Sequence, residues 1–137
     1  MTPSEIWGEV KQKVKRKWKL AFLSAVCVGL LVHMPVMLSD IPNHDGLDSM
    51  YFDQNMITSG RWFLSVACGF SSYYTLPWLI GLLGLLFLGV AAAVLVELLE
   101  VEKGWAVAAC SGLLVTFPAL ASTFAYVFTL DGYMMAL

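Results

Sequence analysis

Three long apolar runs, 20–38, 76–96 and 104–130, alternate with polar stretches along this chain of 137 residues. The first holds nineteen residues without a formal charge at neutral pH, the second twenty-one and the third twenty-seven. At about 1.5 Å of rise per residue, each is long enough as a helix to cross a hydrocarbon core of roughly 30 Å. The pattern predicts an all-α membrane protein with about three transmembrane helices. The third run is also compatible with a helix that breaks near Pro118, where Ser111, Thr116, Ser122 and Thr123 would satisfy freed backbone groups. Beyond it, 131–137 reads as a truncated outer turn and the start of a next helix, as expected of a fragment of a larger multi-helix fold.

Ahead of the first run, 1–19 reads as a basic amphipathic segment, with Ile6, Trp7, Val10, Val14 and Trp18 at helical spacing. Six of the eight basic residues lie between Lys11 and Lys19, where they would meet anionic headgroups. By the positive-inside rule this flank places the amino terminus in the cytoplasm and the Asp40–Pro77 loop outside. The return turn at 97–103, with Glu97, Glu100, Glu102 and Lys103, is net acidic and fits that rule poorly, but acidic residues weigh little in it. Ala21, Ala25 and Gly29 recur every fourth residue, a face on which a partner helix approaches closely. His33, near the outer end of the first run, reads as a satisfied or interfacial histidine rather than a ligand.

The outer loop, 39–75, is where chemistry is expected. Its stretch from Asp40 to Arg61 is a polar island with four of the ten acidic residues, Asp40, Asp45, Asp48 and Asp53. Asn43 can cap a short interfacial helix that carries Asp45 and Asp48 three apart on one face, with Tyr51 further on. That arrangement also suits aspartates that merely favour a helix start and keep the loop wet. Ser59 and Gly60 mark a turn, and Arg61-Trp62-Phe63-Leu64 opens a second short interfacial helix. Tyr73, Tyr74 and Trp78 surround Pro77, the mixture expected where a helix enters a membrane.

Composition narrows the function classes. With 59% hydrophobic residues, 13% charged and a mean hydropathy of +0.76, the chain is too apolar for a domain with a wetted surface. Its net charge of −2 and the position of its basic cluster against an apolar run speak for membrane topology and against nucleic acid. Cys27, Cys68 and Cys110 form no framework, and no histidine or cysteine cluster offers a metal site. Nothing in the motif content identifies a cofactor, and a need for a divalent cation stays open. Glycine-rich nucleotide fingerprints are absent, which argues against a soluble nucleotide-sugar enzyme.

The order of motifs adds a resemblance. Asn43-His44-Asp45-Gly46-Leu47-Asp48, then Ser59-Gly60-Arg61-Trp62, Leu76-Pro77-Trp78 before a glycine-rich run, Phe117-Pro118-Ala119-Leu120 and Phe124-Ala125-Tyr126-Val127-Phe128-Thr129 follow the basic amino terminus and the first span. This series resembles the amino-terminal portion of the Gtr-type bacterial and phage O-antigen glucosyltransferases, membrane glycosyltransferases of the GT-C class. The resemblance implies a multi-pass enzyme of the bacterial cytoplasmic (inner) membrane. It would move glucose from a polyprenyl-phosphate-glucose donor to a surface glycan acceptor, in contact with the lipid bilayer. It also implies a catalytic aspartate in the first outer loop, which Asp45 matches best and Asp48 second. The family often shows two adjacent acids there, whereas Gly46 follows Asp45, so the choice between the two stays open.

Such chemistry needs a carboxylate within reach of a glycan hydroxyl, to take its proton as the bond to the anomeric carbon develops. The leaving lipid phosphate departs as an anion, and the guanidinium of Arg61 suits its oxygens. His44, Trp62 and Tyr51 complete the substrate-binding set, the aromatic rings serving either as sugar platforms or as loop anchors. The 137 residues alone are expected to be inactive. Two other classes are compatible with the pattern. One is a small non-catalytic helical membrane subunit or scaffold. The other is a flippase or transporter fragment, which would carry ionisable residues within its spans.

Overall fold

The computed structural model describes residues 4, 14–39, 60, 62–67, 76–126 and 130–137. They form six helices: α1 (Arg16–Ser39), α2 (Trp62–Ala67), α3 (Pro77–Leu98), α4 (Gly104–Thr116), α5 (Pro118–Thr123) and α6 (Leu130–Met135). There is no strand among the described residues. Two helices, α1 and α3, are long and apolar enough to cross a membrane, while α4 is apolar but stops after 13 residues. Of the amphipathic segment 1–19 only residues 4 and 14–19 are described, and the interfacial helix with Asn43 at its cap lies outside the described residues.

The centre of the fold is the antiparallel pair α1 and α3, with α4 packed mainly against α1. Small side chains set the spacing. Ala21, Ala25 and Gly29 lie buried on one face of α1, which continues through His33 and Met37. Opposite them α3 buries Gly81, Gly84, Leu85, Leu88, Gly89 and Ala92. Gly29, Gly81 and Gly89 each admit a larger residue from the partner: a Cβ on Gly89 would fall 2.7 Å from the ring of Phe22, and the tip of Leu85 occupies the space over Gly29. Small residues of this kind let two helices approach closely. The exterior is oily as well: Leu23, Leu31, Val90, Val94 and Leu113 are all exposed, a surface suited to hydrocarbon rather than water.

Helix α3 ends in a complete Schellman motif. The Val101 N–H donates to the Val96 carbonyl at 3.0 Å and the Glu100 N–H to that of Glu97 at 3.1 Å, with Glu100 in the left-handed region at φ 52°. Val101 packs against buried Val96, the apolar contact that accompanies this cap.

The run from 104 to 130 is divided at Phe117. Pro118 has no N–H and cannot continue α4, so the last carbonyls of that helix need other partners. The Thr116 hydroxyl turns back to the carbonyls of Gly112 (2.9 Å) and Leu113 (3.4 Å). The Phe117 N–H takes that of Leu114 at 3.3 Å, and the His33 ring takes that of Val115 at 2.9 Å. Pro118 then serves as the first residue of α5, where its missing N–H costs nothing.

Candidate functional site

The polar stretch from Asp40 to Arg61 joins the carboxyl end of α1 to the start of α2. His44, Asp45, Asp48, Tyr51 and Arg61 lie outside the described residues. What the structure describes is the end of the bundle on which the stretch is mounted. There α1 finishes with Met37 packed over Gly81 of α3, a Cβ on which would sit 2.7 Å from the Met37 side chain. The Ser39 hydroxyl donates to the Pro35 carbonyl, which closes the last turn of α1. Helix α6 packs against α3 through Leu130 and Met134, which fill the space at Gly84, and also touches α2.

Trp62, the one described member of the predicted site, opens α2 with 67% of its surface exposed. Its ring meets Phe63 edge to face at 5.8 Å.

Directly beneath this end sits His33, 1% exposed. Its Nε2–H donates to the Val115 carbonyl, and its ring lies on that of Phe124. One side chain of α1 thus holds the end of α4 and the residue that follows α5. The histidine has the satisfied role its position on an apolar helix suggests, and it ties the broken segment to α1. Its contact with a carbonyl 82 residues away has no local sequence signal.

At the opposite end of α1 and α3 the charged residues converge. The Glu97 carboxylate accepts from Lys15 and, at 2.7 Å, from the Trp18 indole N–H, and pairs with Lys17 at 3.1 Å. Lys17, whose side chain is only 14% exposed, also reaches Glu102 at 2.6 Å. Two acids of the return turn, Glu97 and Glu102, are therefore paired with lysines from the basic flank, with Lys15 further stabilised over the Trp18 ring at 5.2 Å. The signal for this was present in sequence as a basic cluster before one apolar run and acids after the next. Antiparallel packing of the two runs is what brings them together.

No group of three His, Cys, Asp or Glu able to hold a metal ion occurs among the described residues. Cys27 is exposed and Cys110 partly so, and both are free thiols.

A family model described as Glucosyl transferase GtrII matches residues 34–137. The match begins within α1 and includes the whole of the polar stretch and every later helix. No curated protein and no solved structure matches the chain.

Proposed function

The chain belongs to the glucosyl transferase GtrII family, and from that premise we propose that it is the membrane-embedded amino-terminal part of a glucosyltransferase that takes glucose from a polyprenyl-phosphate carrier and adds it to a cell-surface glycan. The observation that carries this reading is the family match, which covers the polar stretch together with the helices that frame it. The two long apolar helices support a place in the bacterial inner membrane. In this reading the basic amino terminus lies in the cytoplasm and the 40–77 loop faces outward.

Within the loop, Asp45 is the general base and Asp48 the alternative. The carboxylate accepts the proton of a glycan hydroxyl while that oxygen bonds to the anomeric carbon. The bond from the anomeric carbon to the phosphate oxygen breaks, and its electron pair leaves on the polyprenyl phosphate. Arg61 binds the phosphate oxygens and steadies the charge that develops there. His44, Tyr51 and Trp62 contact the substrates, with Trp62 at the exposed start of α2.

The test is glucose transfer by the complete enzyme in membranes supplied with the lipid-linked donor. An Asp45→Asn variant that is expressed normally should lose at least about 100-fold in transfer. Arg61→Ala should weaken donor binding more than it weakens the fold. Full transfer by Asp45→Asn with loss in Asp48→Asn would move the base to Asp48, and full transfer by both would remove the proposed chemistry.

A further inference from the structure

A cleft of about 690 Å³ opens between the start of α1 and the start of α4, lined by Lys15, Arg16, Lys17, Leu20, Glu102, Gly104 and Val107. Its rim is charged and its floor, Leu20 and Val107, is apolar. That is the profile of a molecule with an ionic head and a hydrocarbon tail.

The charges on the rim are not equivalent. Lys15 and Lys17 are held by Glu97 and Glu102, so three cations against two carboxylates leave one positive charge. Among the described residues Arg16 makes no salt bridge, so that charge is carried by a guanidinium, a group whose planar fork matches phosphate oxygens. Lys17, at 14% side-chain exposure, is already saturated by two carboxylates. Glu102 is taken by Lys17 at 2.6 Å, which disfavours a cationic headgroup in the same space. Trp105, which follows the lining residue Gly104 in the first turn of α4, is 74% exposed, an aromatic of the kind found at membrane interfaces.

We propose that this cleft binds one anionic phospholipid of the surrounding bilayer, with its phosphodiester on Arg16 and an acyl chain along Leu20 and Val107. A basic flank read from sequence alone attracts anionic lipid diffusely and with all six cations alike. The structure instead singles out Arg16 and makes Lys15 and Lys17 parts of an internal staple. The site lies at the opposite end of α1 from the polar stretch and is independent of the glucosyltransferase reading.

Native mass spectrometry of the full chain in detergent, titrated with phosphatidylglycerol or phosphatidylcholine, tests it. One phosphatidylglycerol should bind with a preference of about five-fold over phosphatidylcholine, the share expected of one basic side chain near a bilayer surface. Arg16→Gln should abolish that preference while circular dichroism stays unchanged. Lys19→Gln, outside the cleft, should retain it. Equal binding of the two lipids, or a preference that survives Arg16→Gln, would overturn the proposal. Displacement of the lipid by millimolar inorganic phosphate would overturn it too, since the site would then be one for a free anion.

Discussion

The imidazole of His33 lies flat on the ring of Phe124, with ring centroids 3.8 Å apart and planes within 2° of parallel. The same imidazole donates to the Val115 carbonyl, one of the groups set free where α4 stops short of Pro118. Stack and hydrogen bond together make His33 the link between α1 and the divided segment.

The two contributions separate by substitution. His33→Phe keeps an aromatic ring against Phe124 but leaves the buried Val115 carbonyl without its donor, at a cost of about 1 kcal/mol. His33→Ala loses the packing as well and should cost about 2–4 kcal/mol. Reversible unfolding in mixed detergent measures both. If His33→Phe matched the wild type, the hydrogen bond would contribute nothing to stability.

The seam between α1 and α3 supplies a second pair of variants. Gly89→Ala places a Cβ at 2.7 and 2.8 Å from the Phe22 ring and 3.2 Å from Val26, so the helices must part or Phe22 must rotate. Overpacking of this kind costs about 1–3 kcal/mol. Gly112→Ala, on α4, meets only Val28 at 3.9 Å and gains up to about 1 kcal/mol of helix propensity. Thermal unfolding should therefore move in opposite directions for the same chemical change. A matching loss at both positions would mean that the approach of Phe22 does not set the cost at Gly89.

The apolar runs made the long helices visible because each is an unbroken stretch of uncharged side chains. They did not mark the ends. Helix α1 begins at Arg16, four residues ahead of the run, since Arg and Lys are good helix formers and the charge of Lys17 finds Glu97 and Glu102. The stretch 104–130 was compatible with one helix or two, and the division at Phe117 follows from the N–H that Pro118 lacks. The partner of His33 was not legible, being 82 residues distant and set by packing. The aspartates of the candidate site stood out as a polar island, but their assignment to glycosyl transfer came from the resemblance, because spacing alone suits a wetted helix start equally well.

The carboxylate of Glu97 gathers Lys15, Lys17 and Trp18 at the polar end of the bundle. Glu97→Gln keeps an acceptor for the indole but removes both ionic contacts. Its loss of stability should be smaller than that of His33→Ala, since the charges are partly exposed, and should shrink further in 1 M salt. A loss independent of salt would assign the role to the Trp18 hydrogen bond instead.

Glu100 closes α3 from the left-handed region, φ 52°, where a Cβ costs roughly 1–2 kcal/mol and glycine is the usual occupant. Its side chain is exposed and makes no salt bridge among the described residues. Glu100→Gly should therefore stabilise the fold by about 0.5–1 kcal/mol, the strain relieved less the extra freedom glycine gains when unfolded. Glu100→Ala is the decisive control, because alanine removes the charge but keeps the Cβ. If strain is the cause, only glycine raises the unfolding temperature. If alanine raises it as much, the gain comes from easing repulsion among Glu97, Glu100 and Glu102, and the two salt-bridged acids would then be stabilised by losing their neighbour.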